Sequence, residues 1–284
     1  MLIVDAQVHI WAANTPDRPW PPGVKAHRPT PFDVDELRRE MDAAGVRRAI
    51  LVPPFLEGDR NDLALSAATA EPDRFAVMGR FPVTSSKARR GELKTWLQQP
   101  GMLGIRLTFL RESERALIHD DAIDWLWEAA EEAAIPVMVY APFGVKELDA
   151  IAGRHPRLRM IIDHLAFSRP ARDAGKLFDH VPDVLAMAKR PNVAVKASAL
   201  PAYSLEGYPF RDMHPTLQRA FDVFGPRRMF WGSDVTQLPC TYSQAISMFT
   251  EELPWLRGED LDWVMGRGIQ AWLGWPLPAV SNSR

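Results

Sequence analysis

The sequence predicts an α/β protein built as a closed (β/α)8 TIM barrel. Three observations carry this expectation. Eight short apolar runs recur about 30 residues apart, a spacing that fits a barrel of about 250 residues. Stretches of helical periodicity separate them, which implies βαβ units and a parallel sheet. Polar side chains close many of the runs, and the C-terminal strand ends are where such a barrel carries its chemistry. An open doubly wound sheet would usually show a glycine-rich phosphate turn after the first strand, and none follows here.

The first run, Ile3 to Trp11, sets Asp5, Gln7 and His9 on one face and Val4, Ala6, Val8 and Ile10 on the other. The later strands are expected at Arg48–Pro53, Phe75–Arg80, Met102–Leu107, Pro136–Tyr140, Arg159–His164, Asn192–Ala197 and Met229–Asp234. Between the first two, Asp33 and Glu36 form a capping box, Phe32 and Leu37 a hydrophobic staple, and Gly45 a helix stop. Ile123, Leu126, Trp127, Ala130 and Ala134 mark a helix over Asp120–Ala134, and Asp260–Leu273 a closing helix. Two connections are long: Trp11–Pro31, with six prolines, and Ala199–Pro215, with Tyr203 and Tyr208. Both follow strands, so both belong on the functional face, as lids or as cover for apolar surface. A single domain over residues 1–284 is expected, without repeats or low-complexity segments.

Composition narrows the function classes. The 284 residues are 46% hydrophobic and 25% charged, the mix of a globular protein with a large core. A net charge of −2 points to neither nucleic acid nor a membrane surface. No apolar run approaches the roughly 18 residues of a membrane span. One cysteine, Cys240, suits a reducing compartment, and Met1 leads straight into a strand, so a cytoplasmic location is expected. Apolar helix faces would allow a homodimer.

Gathered at one barrel mouth, the strand ends contribute Gln7, His9, Arg80, Arg106, Tyr140, His164, Lys196, Ser198 and Asp234. Each alone has an ordinary structural reading: a lone histidine is usually a hydrogen-bonded core residue, and Asp234 could cap a helix. Together they bring imidazoles, a phenol, a carboxylate and cations to one place. Cys240 has no base beside it in sequence, and Ser198 lacks nucleophile-elbow glycines.

The pattern resembles the amidohydrolase superfamily, in its amidohydrolase 2 branch, which includes 2-pyrone-4,6-dicarboxylate and sugar-lactone hydrolases. The resemblance runs from Val4-Asp5-Ala6-Gln7-Val8-His9 through Ile162-Asp163-His164 and Val195-Lys196-Ala197-Ser198 to Gly232-Ser233-Asp234, and on to Met265-Gly266-Arg267-Gly268. It implies a hydrolase acting on a small carboxylic ester ring. It also implies a metal site of His-x-His on the first strand, histidines on the fifth and sixth, and Asp on the eighth. This chain departs from that set at Gln7 and Tyr140. His9, His164 and Asp234 remain, and would be the ligands if one divalent ion such as zinc were bound. Some lactonases of the branch resemble this chain in carrying Tyr on the fifth strand and in working without metal, so no cofactor is the preferred expectation.

The expected mechanism makes Asp234 the general base toward water, held ionised by Arg106, His9 and His164. His9, His164 and Tyr140 would stabilise the oxyanion, and Arg106 with Arg80 or Lys196 would hold a substrate carboxylate. Gln7 and Ser198 complete the expected substrate contacts. A metal-dependent decarboxylase of an aromatic or enol acid, and a binding barrel without catalysis, are the competing readings.

Overall fold

The computed structural model describes residues 1–28, 31–84, 86–119 and 122–277. Eight parallel strands follow one another around the sheet in chain order: β1 Val4–Val8, β2 Arg48–Leu51, β3 Phe75–Arg80, β4 Met102–Thr108, β5 Val137–Tyr140, β6 Met160–Ile162, β7 Val193–Ser198 and β8 Met229–Gly232. Helices and short helical turns fill the connections. At the seam between β8 and β1, the Asp234 amide donates to the Gln7 carbonyl at 2.9 Å. This is the (β/α)8 barrel that the strand spacing implied. No helix among the described residues is long and apolar enough to cross a membrane.

Alternation along the strands builds the barrel from its floor upward. Val4 and Ala6, Ile50 and Val52, Ala76 and Met78, Met138, Ile161, Ala194 and Phe230 form the inner apolar cluster. Ile269 and Leu273 from the C-terminal helix, and Trp275 just after it, close its lower end. Further along β3 to β7 the inward positions become polar: Arg80, Arg106, Tyr140, Asp163 and Lys196. The odd-numbered neighbours Phe75, Val77, Ile105, Leu107, Val137 and Val139 face outward, into the larger cluster beneath the helices.

Two local departures from sequence expectation shape the site. The first strand does not run regularly from Ile3 to Trp11: its register with β2 shifts between Asp5 and Val8. Asp5 therefore turns away from the lumen toward Ser233 and Tyr242, while Gln7 and His9 turn in. The predicted common face of Asp5, Gln7 and His9 is corrected by this bulge, which re-aims side chains as bulges do. Trp11 lies beyond the strand and makes an isolated bridge with Phe32.

The helices largely follow the sequence. Asp33 caps Val34–Ala44 by accepting from the Glu36 amide at 2.8 Å, and Gly45 ends it at φ 74°. The Glu36 carboxylate pairs with Arg39 at 3.5 Å, so the capping is one-sided. The expected helix from Asp120 appears over Asp124–Glu132, and its predicted start at Asp120 and Asp121 lies outside the described residues. The closing helix is interrupted by a π-helical stretch, Trp263–Arg267. There Gly266 lies against β1 so closely that a Cβ would sit 2.3 Å from the Leu2 carbonyl oxygen.

Candidate active site

A cavity of about 400 Å³ opens at the C-terminal ends of the strands. His9, Arg106, Tyr140, His164 and Asp234 all line it, five of the nine residues that the sequence placed at this mouth. Three of the strand ends reach it through left-handed backbone: His164 at φ 57°, Ala199 at φ 56° and Asp234 at φ 53°. Such a conformation costs about 1–2 kcal/mol for an L-residue and clusters at functional sites. In a regular strand Asp163 and His164 would face opposite ways. The turn after β6 brings both to the barrel's interior side.

Asp234 presents a buried carboxylate to the cavity. Its Oδ1 makes no hydrogen bond among the described residues and lies 3.4 Å from His9 Nε2. Burial pushes the Asp234 carboxyl up to about 6, with nearby cations including Arg106 opposing the rise. Burial drives both His9 and His164 down to about 3, so both imidazoles are neutral at pH 7. The expectation that these histidines supply positive charge to Asp234 is corrected: that part falls to Arg106 and Lys196.

Hydrogen bonding fixes the His9 tautomer. Nδ1 lies 2.5 Å from the Val52 carbonyl oxygen, which can only accept, so the ring proton is on Nδ1. Nε2 is then a lone pair, and Gln7 Nε2 faces it at 3.3 Å. A neutral His9 has no proton to offer an oxyanion through Nε2. Tyr140 is similarly committed: its hydroxyl donates to the Phe167 carbonyl at 2.9 Å and lies 3.3 Å from the Tyr203 hydroxyl. His164 Nδ1 lies 2.9 Å from Ser198 Oγ, and its ring meets Tyr140 edge-on. Whenever the serine hydroxyl donates to Nδ1, the His164 proton sits on Nε2.

One layer below lies a buried ionic chain. Asp163 takes Arg106 Nε at 3.1 Å on one oxygen and Lys196 Nζ at 2.9 Å on the other. Burial raises the Asp163 carboxyl, but Lys196 and Arg106 more than offset it, leaving it below the usual range. Lys196 is fully buried and also donates to Gln7 Oε1. An ammonium only donates, so the Gln7 oxygen must face it and the Gln7 amide nitrogen must face His9. Lys196, Gln7 and Ser198 thus lie beneath the cavity wall, not on it, and their expected direct contact with substrate is replaced by contact with Asp163, His9 and His164. Arg80 lies to one side, stacked 4.3 Å over the Phe55 ring and outside the main cavity. Arg106 spans both levels: beyond its Asp163 bond, its terminal nitrogens make no hydrogen bond among the described residues.

Several residues at the site lie outside the nine that the sequence placed at the mouth. Asp163 was legible only as part of a motif. His27 and Arg169 come from connections, His27 lying 3.2 Å from Thr236 Oγ1 and Arg169 bonding Gln237 at 2.7 Å. Tyr203 and Phe55 line the wall from short helical turns. Only the long Trp11–Pro31 and Ala199–Pro215 connections carried a signal, and both do reach the cavity.

Asp5 anchors the seam beside Asp234. Its Oδ1 accepts from the Gln7 and Ser233 amides at 3.0 and 2.9 Å, and its Oδ2 from Tyr242 at 2.5 Å and from the Ser233 hydroxyl. Burial raises its pKa to about 6 against the pull of these donors. Asp5→Ala leaves four buried donors without their acceptor. It is expected to lower unfolding stability by about 3–5 kcal/mol, read from urea denaturation.

The donors at the site do not match the divalent ion that the resemblance implied. Among the described residues no group of three or more His, Cys, Asp or Glu side chains is placed to hold a metal. Gln7 turns a nitrogen, not an oxygen, toward His9, and its oxygen is taken by the Lys196 ammonium. An ammonium beside the first-strand position disfavours a second cation there. His9, His164 and Asp234 therefore do not form a ligand set that fits the ion.

Comparison with known proteins places this geometry. The family model described as amidohydrolase matches residues 4–279. An L-fucono-1,5-lactonase of Burkholderia ambifaria is 28% identical over 243 residues, covering 81% of this chain and 79% of that one. A 4-sulfomuconolactone hydrolase of Hydrogenophaga intermedia is 22% identical over 241 residues, covering 81% and 73%. The crystal structure of an amidohydrolase from Burkholderia multivorans with bound zinc superposes with a TM-score of 0.78 at 19% identity, covering 97% of this chain and 100% of that one. With the matched residues running from the first strand past the closing helix, the chain belongs to the amidohydrolase family.

Proposed function

We propose that this protein hydrolyses a small anionic lactone, with Asp234 as general base and no metal required. The single observation that carries the reading is Asp234 Oδ1, a buried carboxylate oxygen on the cavity wall that makes no hydrogen bond among the described residues. A water donating one O–H to this oxygen, beside the His9 ring, is held with a lone pair free for attack. The lactonase relatives support a cyclic ester as substrate. A cavity of about 400 Å³ suits a small ring, and Lys25, Arg106 and Arg169 on its wall favour negative charge.

The steps balance on this chain's own groups. Water oxygen bonds to the lactone carbonyl carbon while its proton passes to Asp234. Arg106, through its free terminal nitrogens, meets the charge that develops on the carbonyl oxygen, joined by His164 when its proton is on Nε2. His9 stays an acceptor throughout, which revises its expected place among the oxyanion donors. The tetrahedral species collapses by breaking the ring C–O bond, and Asp234 returns its proton to the departing alkoxide. The product is the open hydroxy acid. Tyr140 shapes the wall and packs against His164.

The test is a lactone panel assayed for both acid release and carbon dioxide. Acid release without carbon dioxide is expected. Carbon dioxide release would favour the decarboxylase reading, and the absence of any product would favour a binding barrel. The base must be ionised to act, and its pKa is raised to about 6. Activity is therefore expected to rise with pH through about 6 and level off above it, falling to about a tenth one unit below. A kcat/KM profile on the best substrate checks this.

A further inference from the structure

Beside the main cavity, and sharing Phe55, Arg106 and Thr108 with it, lies a second cavity of about 230 Å³. We infer that this side cavity is a subsite for an oxyanion carried on a substituent of the substrate, with Arg80 and Thr108 as its inner ligands. The inference rests on the lactone-hydrolase reading and adds to it where the negative charge is received.

Strand geometry builds the subsite. Arg80 and Arg106 are paired positions of β3 and β4, and Thr108 follows Arg106 on the same face of β4. Asn61 fixes the end of β3 by bonding both the Arg80 amide, at 2.7 Å, and its carbonyl, at 3.0 Å. The side chain so placed is unsatisfied. Arg80 Nε and Nη1 are buried and make no hydrogen bond among the described residues, and neither does Thr108 Oγ1, on a residue only 4% exposed. Buried polar atoms are nearly always partnered, and an unpaired buried cation is costlier still.

Charge points the same way. Arg80 and Arg111 both stack on the Phe55 ring, at 4.3 and 5.5 Å, and Arg106 closes the inner wall. Among the described residues, Arg106 alone of the three has a carboxylate partner, Asp163. Two acids border the cavity. Glu114 is occupied in accepting from the Leu110 and Arg111 amides, and Asp59 is an exposed rim residue. Neither bonds Arg80. An oxyanion entering here would take the free guanidinium N–H groups and the threonine hydroxyl together, a pairing that guanidinium geometry favours. Carboxylate and sulfonate share this chemistry.

The experiment compares one lactone ring bearing a carboxylate, a sulfonate or no charge, in the wild-type protein, Arg80→Gln and Arg111→Gln. Arg80→Gln is expected to lower the kcat/KM preference for the charged rings over the neutral ring at least ten-fold, mainly through KM. Arg111→Gln, an exposed change that leaves the fold alone, is expected to lower it by a smaller factor. A larger loss for carboxylate than for sulfonate, or the reverse, identifies which oxyanion the subsite fits. Unchanged preference in both variants overturns the subsite. Calorimetric titration with succinate separates this outcome from failure of the hydrolase reading. If no lactone is turned over, succinate binding that Arg80→Gln weakens ten-fold still supports the subsite, and equal or absent binding in both proteins contradicts it.

Discussion

Asp234→Asn is expected to cut kcat on a lactone substrate by about 10²–10⁴-fold while changing KM little. The amide keeps the size and the left-handed turn of the residue but cannot take a proton from water. It also turns a donor or a neutral oxygen toward His9 Nε2, where the wild type holds a carboxylate 3.4 Å away. The pH profile sharpens the result. The rise through about 6 belongs to the Asp234 carboxyl, so the residual activity of the variant should lose that limb. A variant that keeps full turnover, or keeps the same limb, would assign the base elsewhere.

The second large effect is on folding. Lys196→Met removes one of the two cations that hold Asp163 and orphans the Gln7 oxygen. All three residues are fully buried, so the remaining carboxylate charge cannot be rehydrated cheaply. A loss of about 3–5 kcal/mol is expected, because breaking a buried pair strands its partner. The double variant Lys196→Met with Asp163→Asn should recover much of that loss, because it removes the stranded charge as well. Chemical denaturation of the two variants and the wild type measures both. Equal loss in the single and double variants would mean that the ion pair is not what the lysine supplies.

Much of the fold was legible because it depends on local pattern. The eight apolar runs, the Asp33 cap and the Gly45 stop are short-range features, and all eight runs became strands of the barrel. The five residues His9, Arg106, Tyr140, His164 and Asp234 were legible as a group because strand ends converge by topology. What was not legible depends on backbone irregularity or on distant partners. The bulge in β1 reverses Asp5 relative to Gln7, and no residue type in Val4–Val8 announces it. The left-handed turns at His164 and Asp234 place both residues beyond their strands, where alternation no longer predicts direction. Lys196 and Gln7 looked like substrate contacts because the sequence cannot show that they hold each other. Asp163 was passed over because its two cations come from β4 and β7.

Gln7 therefore has a structural explanation. The Lys196 ammonium sets the orientation of its amide, and the amide faces the lone pair of His9. A chain of fixed donors runs from the buried ion pair to the His9 ring, which stands 3.4 Å from Asp234 Oδ1. In this arrangement a lysine charge stands near the place where the resemblance implied a metal ion.

The most direct test of the central claim is lactone turnover by protein stripped with chelator, its metal content checked by elemental analysis. Full turnover in metal-free protein and no gain on adding zinc are expected. Turnover that disappears with the metal and returns with one equivalent of zinc would contradict that claim.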